Sequence, residues 1–270
     1  VRPFLKWVGG KRRVLHALMP HIPDGVRTYH EPFVGGGALF FALAARERPP
    51  EGAVLSDMNH RLVRTYRGLK NQIGEVLERL SVHEAEHCKE HYYETRATDV
   101  DSARSDAAVA AWMIYLNKTG FNGLYRVNRK GGFNVPIGSY TNPNIRDVSN
   151  LMNVHRVLQT VEIRHGDFKD SFFKAEAGDV VYFDPPYIPL SKTASFTAYT
   201  RHGFGPDQQV ELRDLALELK RRGVHVILSN HDCPEIRELY SEFDVTQVMV
   251  GRAINSKASK RGAVAEVVIT

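Results

Sequence analysis

Cysteine is almost absent from this chain: Cys88 and Cys233 are too few for a disulfide framework or a zinc cage. A reducing, cytoplasmic setting is therefore expected, with neither thiol in a context that suggests a nucleophile. Long apolar runs are missing as well. No stretch approaches the roughly eighteen apolar residues of a membrane span, so no membrane partner is expected. The opening "VRPFLKWVGGKRR" is basic but leads into no apolar core, which argues against a secretory signal. Two nucleotide-binding signatures are incomplete. "GGKRR" (9 to 13) has a lysine but lacks the upstream glycine and the following Ser or Thr of a Walker A loop. "GGGALF" lacks the third spaced glycine of GxGxxG. ATP hydrolysis and hydride transfer thereby lose ground.

What is present is a chain of 270 residues, 43% hydrophobic, with room for one large domain or two modest ones. The net charge of +5 leans towards polyanions, although where the charge sits matters more than its sum. "VRTYHEPF" (26 to 33) and "GAVLSDMN" (52 to 59) read as strands, with a glycine-opened helix, "GGGALFFALAAR", between them. Such a unit points to a parallel sheet with right-handed crossovers. From Leu62 to Leu80 the apolar residues fall at helical spacing, and "SDAAVAAWMIYLN" (105 to 117) predicts another helix. A Gly- and Asn-rich stretch without periodicity follows. Strand-like runs resume at 160 to 168, 179 to 187 and 224 to 232, with a helix opened by Pro206 and stopped by Gly223 between the last two. "FDVTQVMV" and "VAEVVIT" suggest a terminal antiparallel pair. The expected organisation is a sheet domain, 1–59 with 151–270, interrupted by a helical and loop-rich insertion over 60–150.

Two acids end strands in this reading. Asp57 follows Gly37 by twenty residues, the place where an acid accepts from ribose hydroxyls in nucleotide-binding α/β folds. Gly35 to Gly37 allow tight backbone angles, close ligand approach and an anion at the first helical turn. A plain glycine turn with a helix-capping Asp is the alternative. The second acid, Asp184, stands in "DVVYFDPPYIP", where Pro185 and Pro186 stop the strand because they carry no N–H. A planar base bearing an amino group suits that corner. Asp184 and the Pro185 carbonyl can each accept one N–H, and Tyr187 can stack on the ring. Holding both N–H groups draws the nitrogen towards tetrahedral geometry and localises its lone pair for attack on a methyl sulfonium. Adenine and cytosine both carry such an amine.

"FVGGG" followed by "DPPY" resembles the class alpha S-adenosylmethionine-dependent amino-methyltransferases. With "FLKWVGGK", "LSDMN", "LNKTGFNGLYRVNRKGGFNVPIGSY", "DPPYIPLSKTASFTAY" and "ILSNHD", nearly the whole chain is similar, in order, to the Dam-type DNA adenine-N6 methyltransferases. The resemblance implies a Rossmann-like methyltransferase sheet with an inserted, mainly helical DNA-recognition domain. It implies S-adenosylmethionine as cofactor and S-adenosylhomocysteine as product, no metal, and double-stranded DNA as partner to a monomer associated with the nucleoid. It implies that Trp7, Lys11, Asp57 and Asp184 contact the donor and that Phe33 and Phe168 line its pocket. Both a solitary role and a cognate restriction nuclease as a separate protein fit it.

The stretch from Asn117 to Arg146 contains no Asp or Glu but carries Lys118, Arg126, Arg129, Lys130 and Arg146, interleaved with Phe121, Tyr125, Phe133 and Tyr140. Such charges neutralise phosphates, and aromatics can fill the gap left by an extruded base. A solvated basic loop with its aromatics tucked into the core is the alternative. The resemblance implies that Phe121 wedges into the duplex, Asn122 touches the backbone and Arg126 binds guanine. Leu124, Pro136 and Tyr140 would complete recognition of GATC, and Lys6 would also reach DNA. Val127 and Ser139 depart from the family pattern, where a tyrosine and a basic residue are common. "SKTASFTAY" is expected to close over the flipped base; for the loop with Arg252, Lys257, Lys260 and Arg261, tracking of the phosphate backbone and a basic loop with no specific role both stay open. A cytosine-N4 enzyme, an RNA methyltransferase and an inactive DNA-binding relative stay open as rival readings.

Overall fold

The structure, a computed structural model, describes residues 1–7, 11, 14–187, 204–251 and 263–270. The segment "SKTASFTAY" and residues 252–262 of "GRAINSKASKRG", with the roles considered for them, lie outside the described residues.

The strands are β1 (Thr28–Glu31), β2 (Gly52–Asp57), β3 (Val161–His165), β4 (Val180–Phe183), β5 (His225–His231), β6 (Val245–Gly251) and β7 (Ala263–Ile269). They form a seven-stranded sheet in the order β3-β2-β1-β4-β5-β7-β6. β1 pairs in parallel with β2 and with β4, and β4 with β5, while β7 runs antiparallel to both β5 and β6. The terminal antiparallel pair is thus present. β4 is buried at every position, as a parallel strand covered on both faces should be. The chain crosses from β1 to β2 on one side, and β4 flanks β1 on the other. Ligands of open α/β sheets gather at such a switch point, beyond the carboxyl ends of the strands.

The helices are α1 (Leu15–Leu18), α2 (Ala38–Leu43), α3 (His60–Asn71), α4 (Ile73–Ala85), α5 (Lys89–Ala97), α6 (Asp106–Thr119), α7 (Val148–Leu158), α8 (Pro206–Arg221) and α9 (Pro234–Leu239). The apolar spacing from Leu62 to Leu80 belongs to two helices, because Gln72 (φ −136°, ψ 34°) breaks the run. α8 starts with Pro206 at its first turn, and Gly223 (φ +79°) follows its end.

By packing, the chain divides into two units. The first holds 1–10, 35–45 and 57–165; the second holds 11–34, 46–56 and 166–270. These divisions follow compactness, whereas the boundaries expected at 60 and 150 were drawn from sequence pattern and expected role. In the first unit α6 is buried around most of its circumference, and Ser105 caps it by accepting from Ala107 N. In the second, Leu212, Ala216 and Leu219 of α8 join Val181, Phe183, Val226, Leu228, Val267 and Ile269 of the sheet in one core.

Candidate active site and reading surface

In the second unit, β4 delivers Asp184 one residue past the last sheet pair, Phe183↔Leu228, and the two prolines then stop the ladder. Asp184 Oδ1 lies 3.1 Å from Lys11 Nζ and accepts from Ser229 Oγ at 3.1 Å. Ser229 Oγ is in turn 2.8 Å from the Tyr182 hydroxyl. Lys11 is 5% exposed, and its ammonium also lies 3.4 Å from Glu266 Oε2. Tyr187 OH donates to that same Oε2 at 2.8 Å, and Lys11 Nζ sits against the hydroxyl and 4.0 Å from the ring centroid. One buried ammonium is thus shared by two carboxylates. Among the described residues, nothing donates to Asp184 Oδ2 or to the Pro185 carbonyl. The Pro186 carbonyl accepts from buried Gln209 at 3.4 Å.

Burial pushes the Asp184 carboxyl above its ordinary value of 3.8; Lys11 and Ser229 pull it back, and the charge of Glu266 adds to the rise. Burial, then the charges of Asp184 and Glu266, hold the Tyr187 phenol well above its ordinary value, so it stays a neutral donor. Among the described residues the arrangement is an acceptor corner: one carboxylate oxygen and one carbonyl without a donor, and an aromatic ring with a fixed hydroxyl. Phe33 and Phe168 stack on each other in this unit, with centroids 5.5 Å apart, and Phe183 and Phe204 meet Phe33 edge-on. Asp167 accepts from Lys169 N and is a local cap.

In the first unit, the glycine turn is explained by its neighbours. Gly35 (φ +47°) would place a Cβ 2.7 Å from Trp7 Cδ1, and Gly37 (φ +64°) would place one 2.7 Å from the Tyr66 hydroxyl. Asp57 Oδ2 accepts from Gly35 N at 3.1 Å, and its Oδ1 accepts from Asn59 N at 2.8 Å. Asp57 ties the glycine turn to the start of α3, whose N-cap is Asn59, and each of its oxygens keeps lone-pair capacity for a further donor. Asp57 thus already takes the Gly35 N–H of the turn. Burial raises the Asp57 pKa, and the backbone donors of Asn59 and Gly35 oppose the rise. Trp7 stacks on Tyr125 with centroids 5.4 Å apart.

The acid-free stretch, also in the first unit, is built on Asn117. Its buried amide accepts from Lys6 N and donates to the carbonyls of Lys6 and Gly123, each at 2.8 Å. A turn at Phe121–Gly123 follows, in which Asn122 takes a left-handed conformation (φ 55°). Phe121 is 48% exposed, whereas Tyr125 and Phe133 are buried. These two aromatics are core residues, packed on each other and on Trp7 and Trp112, and not fillers of a DNA gap. Lys6 Nζ reaches the Tyr140 hydroxyl at 3.3 Å. From Arg126 to Asn134 the chain is a tight hairpin closed by the Asn128 side chain, which accepts from Lys130 N and Gly132 N. Arg129 and Lys130 are exposed at its tip. Arg126 donates from Nε to Asn134 Oδ1 at 2.7 Å and from Nη2 to the Asn134 carbonyl at 3.1 Å, both neutral acceptors. Arg146 differs: Glu84 pairs with it at 3.1 Å, so its charge is already met. Leu124 is half-buried and Pro136 exposed.

Sequence reasoning missed Glu266, Ser229, Gln209 and Asn117. The first carried a visible signal, a single acid inside the apolar run "VAEVVIT". Gln209, a polar residue on the apolar stripe of α8, carried a weaker one.

The second unit thus holds an acceptor corner at the end of β4, and the first holds a strand-end acid beside a glycine turn. Comparison with known proteins supplies the class. The family described as D12 class N6 adenine-specific DNA methyltransferase matches residues 7–254. "Type II methyltransferase M1.LlaDCHI" of Lactococcus lactis subsp. cremoris is 42% identical, with 100% of this chain and 95% of that protein covered. "Type II methyltransferase M.MjaIII" of Methanocaldococcus jannaschii is 41% identical over 97% of this chain and 95% of its own. "DNA adenine methylase" of Escherichia coli K12 is 36% identical over 98% of this chain and 93% of its own. The chain belongs to the D12 class of N6 adenine-specific DNA methyltransferases. It is an enzyme of DNA adenine methylation. Among the described residues no helix is long and apolar enough to cross a membrane.

Proposed function

We propose that this enzyme takes its methyl group from S-adenosylmethionine and transfers it to N6 of a flipped adenine within GATC in double-stranded DNA. The observation that carries the reading is the corner of Asp184, whose Oδ1 is held by Lys11 and Ser229 while, among the described residues, Oδ2 and the neighbouring Pro185 carbonyl have no donor. The residues fit the donor: Asp57 has lone pairs left for ribose hydroxyls, Gly35 and Gly37 keep the turn free of side chains, and half-buried Phe33 offers a ring backed by the buried Phe168. Trp7 supports the glycine turn, and Lys11 fixes the carboxylate that faces the amine.

S-adenosylmethionine, when bound, supplies an electrophilic methyl group on a sulfonium. The protein does the rest. Asp184 Oδ2 and the Pro185 carbonyl each accept one N–H of the exocyclic amine, which localises the nitrogen lone pair. Pro186 sets the kink, and Tyr187 stacks on the base. As positive charge builds on N6, the carboxylate stabilises it, and Asp184 Oδ2 then takes the surplus N6 proton and passes it to solvent. The two N–H acceptors come from the protein, and the proposal includes no metal. Residues 60–150 act as the reader: Phe121 wedges into the gap of the extruded base, Asn122 contacts the backbone, Arg126 binds guanine, and Leu124, Pro136, Tyr140 and Lys6 complete the contacts. The protein acts as a monomer, and the Type II names of two relatives favour a cognate nuclease as a separate protein.

The test is incubation of the purified protein with S-adenosylmethionine and unmethylated plasmid, followed by nucleoside mass spectrometry and cutting by a nuclease that needs methylated GATC. N6-methyladenine with cutting is expected. N6-methyladenine without cutting removes GATC; N4-methylcytosine, or a modified base only in RNA, removes the reading of the corner.

A further inference from the structure

We propose that Glu266 is a positioning residue that sets the charge of the active site, so that the enzyme prefers the cationic methyl donor over its neutral product. The inference rests on the reading that the Asp184 corner faces S-adenosylmethionine.

Glu266 is an acid in the apolar strand β7, paired in register with His231 of β5. Its side chain is 15% exposed, and its Oε2 takes both the Tyr187 hydroxyl (2.8 Å) and the Lys11 ammonium (3.4 Å). A carboxylate so placed in a strand otherwise made for core packing is costly unless its charge has a use. Lys11 is already paired with Asp184, so one positive charge faces two negative ones and the three groups sum to −1. A methyl donor with a sulfonium, an ammonium and a carboxylate carries +1. Its product, a thioether with the same amino-acid end, carries zero. Glu266 therefore completes a cluster that matches the donor before transfer and not the product after it. The same oxygen fixes the Tyr187 hydroxyl, and His231 crosses the Tyr187 ring at a centroid distance of 4.4 Å, so the ring direction is set from β5 and β7 as well as from Lys11. Glu266 acts through Lys11, Tyr187 and the field, not by touching the reacting atoms.

The experiment is calorimetric binding of S-adenosylmethionine and of S-adenosylhomocysteine to the full-length chain, wild type and variants, with thermal melts as folding controls. Glu266→Gln keeps an acceptor for Tyr187 and removes the charge. It should weaken donor binding about 5- to 10-fold more than product binding, the size of a partly screened charge interaction in a half-buried site. Glu266→Asp, which keeps the charge, should restore the wild-type ratio. Lys11→Met, which leaves two carboxylates uncompensated, should move the ratio the opposite way, and it tests the inference even where Glu266→Gln does not fold. Equal weakening of both ligands by Glu266→Gln would mean a structural role only and overturn the proposal. Wild-type protein that binds neither ligand would instead overturn the reading of the donor site.

Discussion

The proposed catalytic corner and the proposed reading hairpin treat positive charge in opposite ways. At the corner, Lys11 is buried and divided between Asp184 and Glu266. On the hairpin, Arg126 is exposed and held only by the neutral oxygens of Asn134, with Arg129 and Lys130 at the tip beyond it. The difference follows from what each must do. A transfer site needs its acceptors aimed before substrate arrives, and internal ion pairs in a low-dielectric setting aim them. A reader must keep its charge for phosphates and guanine, and a carboxylate partner would compete with both. Arg146 makes the contrast within one stretch, because Glu84 takes it out of the reading set.

The largest expected break comes from Asp184→Ala. Transfer should fall by about a thousand-fold or more, since the amine loses its charged acceptor, while binding to duplex measured by anisotropy stays within about two-fold. Equal loss of both would mean that the corner is structural support for DNA binding. Next is the tip: Arg129→Ala with Lys130→Ala should reduce the slope of log affinity against log salt by roughly 2, about one for each phosphate contact, without changing sequence choice. An unchanged slope would leave the tip as solvated surface.

Asn134→Asp sharpens the comparison by giving Arg126 the kind of partner that Lys11 has. Duplex affinity should drop by about 3- to 10-fold, in line with the modest strength of an exposed ion pair and the lost net charge; an affinity equal to wild type would show that Arg126 is not engaged with DNA. The smallest effect concerns pH. Asp184 must be ionised to accept, and burial raises its pKa above the ordinary 3.8. Activity should therefore fail at a higher pH on acidification than an ordinary carboxylate would allow. Because Lys11 is the main group holding that pKa down, Lys11→Met should move the acid limb of kcat/KM further up. The sign for stability is opposite to that of an ordinary ion-paired acid. A raised carboxylate pKa means that protonation relieves a burial cost, so this residue's contribution to stability grows as pH falls through its folded value.

Much of this was legible in the sequence, for identifiable reasons. β4 and its corner could be read because a buried parallel strand is a continuous apolar run and proline is an unambiguous stop. The terminal antiparallel pair and α8 declared themselves in the same way. α5 and α7 were missed because "KEHYYETRA" is polar and "VSNLMNVHRVL" is short and mixed. The break at Gln72 was missed because apolar spacing runs across it. At the site, Asp57 and Asp184 stood at strand ends, where local rules apply. Glu266 did not, because its partners Lys11 and Tyr187 lie 255 and 79 residues away in sequence. The fates of Tyr125 and Phe133 were equally illegible, since composition cannot tell an aromatic facing DNA from one stacked on Trp7.

The central claim is that chemistry and choice of sequence reside in different places, and Arg126→Ala tests it most directly. Plasmid methylated by this variant should be mapped for N6-methyladenine at single-base resolution beside the wild type. The account predicts methyl groups still on adenine but spread to sites that differ from GATC by one base, a loss of about 10- to 100-fold in discrimination, or roughly 1–3 kcal/mol for one bidentate contact. Residual methylation confined to GATC, or confined to the sites the wild type uses, would contradict it.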